Sequence, residues 1–129
     1  MKHIATAISC LIVFVFSANS KSLIGSWNLE KTKTTITQRN GNFTVRESGT
    51  VNALSITFKE NQKVIFEQEN GKTDSLEWRE KEKRKIEMIY NGSNEFYKSF
   101  NGDFELFFSN KSKNLELRKN KDFAIFLKR

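Results

Sequence analysis

From Leu54 onward, apolar and polar residues alternate with a period of two. Leu54, Ile56 and Phe58 alternate with Ser55, Thr57 and Lys59; Val64 and Phe66 with Lys63, Ile65 and Glu67; Leu76 and Trp78 with Glu77 and Arg79. The pattern continues through Ile86, Met88 and Tyr90, then Phe104, Leu106 and Phe108, then Leu115 and Leu117, and finally Phe123, Ile125 and Leu127. Successive side chains of a strand point to opposite faces, so each segment has one apolar face and one mostly polar face. Half-buried antiparallel strands have this character. Residues Glu95 to Phe100 interrupt it, because Phe96, Tyr97 and Phe100 do not share one face. No stretch beyond residue 20 carries a helical period of useful length.

Nearer the start, Leu23, Gly25, Trp27 and Leu29 fall on one face of a first strand, with Ser22, Ser26, Asn28 and Glu30 between them. Gly25 beside Trp27 leaves room for a large ring or another backbone. Thr32 to Thr37 continues this strand as an exposed stretch with β preference. Asn-Gly pairs at 40–41, 70–71, 91–92 and 101–102 each separate two strand-like runs and predict hairpins, since both residues accept positive φ at low cost. The hairpin formed with Phe43-Thr44-Val45 is expected to be either a flap over a barrel end or a plain edge.

Sequential hairpins with short links make an up-and-down meander. That many strands expose two long edges unless the sheet closes on itself. The expectation is therefore an all-β fold, an antiparallel up-and-down meander closed into a β-barrel of about eight to ten strands.

Residues 1–20 differ in kind. Lys2 and His3 precede an almost wholly apolar run from Ile4 to Phe16, and Ala18 and Ser20 suit the −3 and −1 positions of a cleavage site. This is the pattern of a secretory signal peptide, which leaves residues 21–129 as a single barrel domain exported to the periplasm or the exterior. Cys10 lacks a leucine three residues before it and lies inside the apolar run, so lipidation there is the lesser reading. The 129 residues carry 22 basic and 15 acidic side chains, a formal charge of +7. Cleavage would remove the only cysteine and the only histidine, and with them disulfides, thiolate or imidazole chemistry and Cys/His zinc sites. The carboxylates mostly neighbour Lys or Arg and single out no acid–base pair. No catalytic residue, cofactor or metal is expected, and no nucleic acid.

Leu23-Ile24-Gly25-Ser26-Trp27 at the start, Ile56-Thr57-Phe58 leading into Lys59-Glu60-Asn61, and Asn114-Leu115-Glu116-Leu117 before a last strand from Phe123 to Arg129 resemble the small exported lipocalin-like domains of bacteria. The resemblance covers most of residues 22–129. It implies a structural role for Gly25 and for Trp27, which would close one barrel end under a basic side chain; Arg118 and Arg129 are the candidates. No helix is expected after the last strand, which departs from classical lipocalins and from their small-molecule transport.

An eight-stranded barrel is just wide enough to be filled by its own side chains or to hold one small ligand. In the second case the wall is expected from Ile56, Phe58, Phe66, Trp78, Met88, Phe104, Leu106, Phe108 and Ile125, binding a small hydrophobic or amphipathic molecule. In the first, the domain is an interaction module acting through its basic surface on a protein partner. The charge run Arg79-Glu80-Lys81-Glu82-Lys83-Arg84-Lys85 reads as a solvated hairpin tip. The protein is expected to be a monomer, meeting a membrane only through its signal peptide during export.

Overall fold

The computed structural model describes residues 18–49, 54–120 and 122–129. A short helix α1 (Ala18–Leu23) leads into β1 (Gly25–Thr37), β2 (Phe43–Gly49), β3 (Leu54–Phe58), β4 (Lys63–Gln68), β5 (Thr73–Glu82) and β6 (Lys85–Ile89). A four-residue helix α2 (Glu95–Lys98) precedes β7 (Gly102–Ser109), β8 (Asn114–Lys119) and β9 (Phe123–Lys128). All neighbouring strands are antiparallel, in the order β2-β1-β3-β4-β5-β6-β7-β8-β9, and β1 also pairs with β9. Eight strands thus close into an up-and-down barrel, with β2 outside the closure. This architecture is consistent with a lipocalin-like fold.

The long β1 serves three neighbours. Gly25 to Asn28 pair with β3, Lys31 to Thr37 with β2, and Asn28 to Thr34 with β9. The register against β9 shifts between Leu29 and Lys31, a bulge at Glu30. Strict alternation from Trp27 and Leu29 would aim Lys31 and Lys33 into the core. The extra residue instead turns both lysines outward and puts Thr32 and Thr34 on the face of Ile125 and Phe123.

The apolar faces meet inside as one cluster, from Leu23 and Trp27 at one end to Tyr97 and Phe100 at the other. Each end carries a lid. At the first, Trp27 Nε1 donates to the carbonyl of Leu23 in α1 at 2.8 Å. At the second, Tyr97 of α2 stacks on Phe66 with ring centroids 4.7 Å apart, and Phe100 tilts onto the same ring at 4.9 Å.

Two expectations need correction. Leu23 is buried, but on α1; the strand starts at Gly25. The pairs Asn91-Gly92 and Asn101-Gly102 do not make tight hairpins, because the link between β6 and β7 holds α2, a single helical turn too short for a periodicity to show. Asn94 caps that turn, its side chain accepting from the backbone N–H groups of Phe96 and Tyr97. Gly92 lies outside the left-handed region and is required by packing: a Cβ there would fall on the ring of Tyr90. Residues 1–17 of the expected signal peptide, Cys10 among them, lie outside the described residues, and α1 runs across the expected cleavage point after Ser20.

Candidate functional site

The nine residues expected to line a ligand chamber do converge on the barrel axis, but they pack against one another. Ile56, Phe58, Phe66, Trp78, Met88, Phe104, Leu106 and Ile125 are each at most 1% exposed. A chamber able to hold a ligand would leave its wall reachable by a water-sized sphere, and these side chains offer almost no such surface. Phe108 is half-buried and leans on Trp27, with centroids 6.3 Å apart. Trp78 meets Phe58 edge-on at 6.0 Å and donates its indole N–H to the carbonyl of Lys59 at 2.9 Å. Buried indoles need that kind of partner, and both tryptophans have one. Eight of the nine therefore form the core of the described barrel, and Phe108 packs against it.

The end closed by Trp27 shows why Gly25 is there. Its φ is +127°, a region that disfavours side chains, and a Cβ would lie 3.1 Å from the guanidinium of Arg129. That guanidinium spreads over the Trp27 ring, 3.9 Å from its centroid, and donates to the carbonyls of Ser22 and Ile24. Of the two candidate arginines, Arg129 holds this position.

Arg118 belongs instead to the outer wall, where the polar faces of β7, β8, β9 and β1 carry two unexpected aromatics. Phe107, Glu116, Phe126 and Lys31 lie opposite one another in one cross-strand row. Glu105, Arg118, Ala124, Lys33 and Glu47 form the next. Cations cover the rings: Arg118 lies 4.1 Å and Arg84 5.2 Å from the Phe107 centroid, and Lys31 5.0 Å from that of Phe126. Arg118 also donates to Glu116 at 2.7 Å, and that carboxylate holds its guanidinium more firmly charged than usual. A shallow cleft of about 350 Å³ opens on this wall, lined by Lys33, Thr35, Arg118, Asp122, Ala124 and Phe126 among others. The sequence held the signal in Phe107 and Phe126, two phenylalanines on otherwise polar strand faces.

At the lid of α2, the hydroxyl of Tyr90 donates to Asp74 at 2.7 Å and accepts from the backbone N–H of Asn94 at 3.1 Å. Burial, reinforced by the Asp74 carboxylate, pushes the Tyr90 phenol above its ordinary range. Gln68 donates to the Tyr97 hydroxyl at 3.0 Å. Asn101 exchanges hydrogen bonds with the backbone of Tyr90, so its side chain continues the ladder where β6 and β7 part. These are structural bonds, each holding the lid. Among the described residues, no group of three or more His, Cys, Asp or Glu side chains could hold a metal ion.

The charge run at 79–85 is the β5–β6 hairpin, turning at Lys83-Arg84. Its side chains pair across strands, Arg79 with Glu87 and Lys81 with Asp103. Comparison with protein-family models, with curated proteins and with solved structures returned no match.

Proposed function

We propose that the domain is an exported interaction module, a lipocalin-like barrel with a filled interior that binds an acidic protein partner through its basic outer wall. The packed core carries this reading. With eight of the nine expected wall residues almost wholly buried by their neighbours, the inside offers a small molecule no volume. The outer wall supports the other half. Lys31, Lys33, Arg84 and Arg118 are gathered there around two half-buried phenylalanines, with Lys31 paired to Glu47 and Arg118 to Glu116, on a chain of net charge +7. Aromatic and arginine side chains are the types that anchor protein interfaces, and basic patches steer acidic partners. Export rests on the apolar leader of residues 4–16.

Poly-L-glutamate, titrated into the mature protein at low and high salt, tests the wall. Saturable binding that weakens with salt and is lost in the double variant Lys33→Glu, Arg118→Glu is the expected result. Equal binding by that variant removes the wall from the proposal. Titration with fatty acids and sterols tests the interior: a saturable change in tryptophan emission would reinstate carriage of an apolar molecule, entering where α2 covers the barrel.

A further inference from the structure

We infer that the free edge of β2 pairs with the same edge of a second copy of this chain, an inference resting on the interaction-module reading. Among the described residues, closure of the barrel pairs both sides of every strand from β3 to β9, and leaves β2 as the strand with an open side. The parity of the β1–β2 ladder decides which groups are unpaired. Gln38 N–H donates to the carbonyl of Asn42 at 2.7 Å, so Gln38 and Asn42 form a hydrogen-bonded pair. Hydrogen-bonded pairs recur every second residue, which assigns Thr44, Arg46 and Ser48 to β1. Phe43, Val45 and Glu47 therefore turn their backbone N–H and C=O groups to the open side.

This hairpin exposes large apolar side chains among its threonines and charges. Of the four exposed large apolar residues among those described, Ile36, Phe43 and Val45 lie on it, Phe43 being 68% exposed. Proteins blunt free edges with proline, bulges or charged side chains, lysine above all. This chain has no proline, and β2 is a continuous seven-residue strand with no lysine and no register shift against β1; its charges are Arg46 and Glu47, of opposite sign and adjacent.

A second copy fits this edge because β2 is complementary to itself. In the antiparallel register centred on Val45, the two-fold axis sets Val45 against Val45 of the other copy. Phe43 then lies beside Glu47 of the other copy, and Thr44 beside Arg46. No like charges stand opposite one another, whereas a register centred on Arg46 would oppose two arginines. Phe43 reaches Val45 of the other copy along the diagonal, so two phenylalanines and two valines gather on one face. Three pairs of outward-turned residues supply about six new backbone hydrogen bonds. The area is small, and both copies are basic, so association should be weak and should strengthen with salt.

Sedimentation velocity of the mature protein from about 10 μM to about 1 mM, at low and high salt, reads this directly. The expected result is a monomer–dimer equilibrium that shifts toward dimer at higher salt, opposite to the salt response expected of poly-L-glutamate binding. Val45→Pro removes an outward N–H without touching the β1 ladder, and should abolish the dimer at unchanged circular dichroism. If that variant fails to fold, Val45→Lys, which adds a charge facing itself across the axis, decides instead. A monomer throughout the range overturns the inference, as does a dimer indifferent to the substitution. Either outcome leaves the poly-L-glutamate result standing, so the two proposals fail separately.

Discussion

Trp27 and Tyr90 do comparable work at opposite ends of the barrel. Each is an amphipathic ring whose apolar body fills the core and whose polar tip is hydrogen-bonded to a lid, Trp27 to α1 and Tyr90 to the start of α2. For Tyr90 this has a pH signature. Its folded-state pKa is raised, so the contribution is fully present while the phenol is protonated in both states. As pH climbs through the ordinary tyrosine range the unfolded chain ionises first, and stability is lost. Denaturant midpoints from pH 7 to 11 should fall less steeply for Tyr90→Phe than for the natural protein. At pH 7 that variant should have a lower denaturant midpoint, since the bonds to Asp74 and Asn94 go unmade. Parallel curves would mean that the phenol is not desolvated. Trp27 was readable from its face, because a large aromatic two residues from a glycine on an alternating strand has nowhere to go but inward. The identity of its cover was not: Arg129 is more than 100 positions away, and no local pattern encodes a pairing set by barrel closure.

Among elements, the strands were readable and the turns only partly so. Period-two alternation is enforced at every position of a half-buried strand, and so marks β3 to β9 with redundancy. A turn depends on one or two residues. Gly41 and Gly71 take φ of +85° in the same five-residue turn, each preceded by an asparagine that accepts from the N–H two residues on. Asparagine thus serves these turns through its side chain and not by entering the left-handed region. The β3–β4 turn has the same bonds, with Asn61 accepting from Lys63, but Gln62 occupies the left-handed position at φ 69°. Left-handed backbone costs a side-chain-bearing residue about 1–2 kcal/mol, partly offset by the entropy that glycine loses on folding. Gln62→Gly should therefore raise the unfolding free energy by a few tenths to about 1 kcal/mol. A lower midpoint would show that the Gln62 side chain contributes contacts outweighing its backbone strain. The bulge at Glu30 was invisible for another reason: a single inserted residue changes no composition, only the phase of the residues after it.

For the molecule as a whole, the core and the outer wall make different statements about solvent. Both tryptophans are at most 1% exposed, under lids at the barrel ends or against neighbouring rings. Emission of the folded protein should be blue-shifted and only weakly quenched by acrylamide, and both indoles should respond alike. A second, easily quenched component, assigned with Trp27→Phe and Trp78→Phe, would show a barrel that opens to water on its own. The wall is the reverse case, with cations on rings and ion pairs across strands at the surface, where each pair contributes little to stability. Such groups are free to serve recognition because the fold does not depend on them.

The first strand and the last are joined along β1 and β9, and the clasp of Arg129 over Trp27 completes that joint. This sets an order in time. During synthesis, β3 to β8 can add to one another hairpin by hairpin, each needing only its neighbour. The open side of β1 must wait for partners about 100 residues later, and loops of that span close slowly. Until they arrive, the chain is an unclosed sheet with its hydrophobic face uncovered. Folding is thus deferred by topology to the moment when the whole of β9 is free.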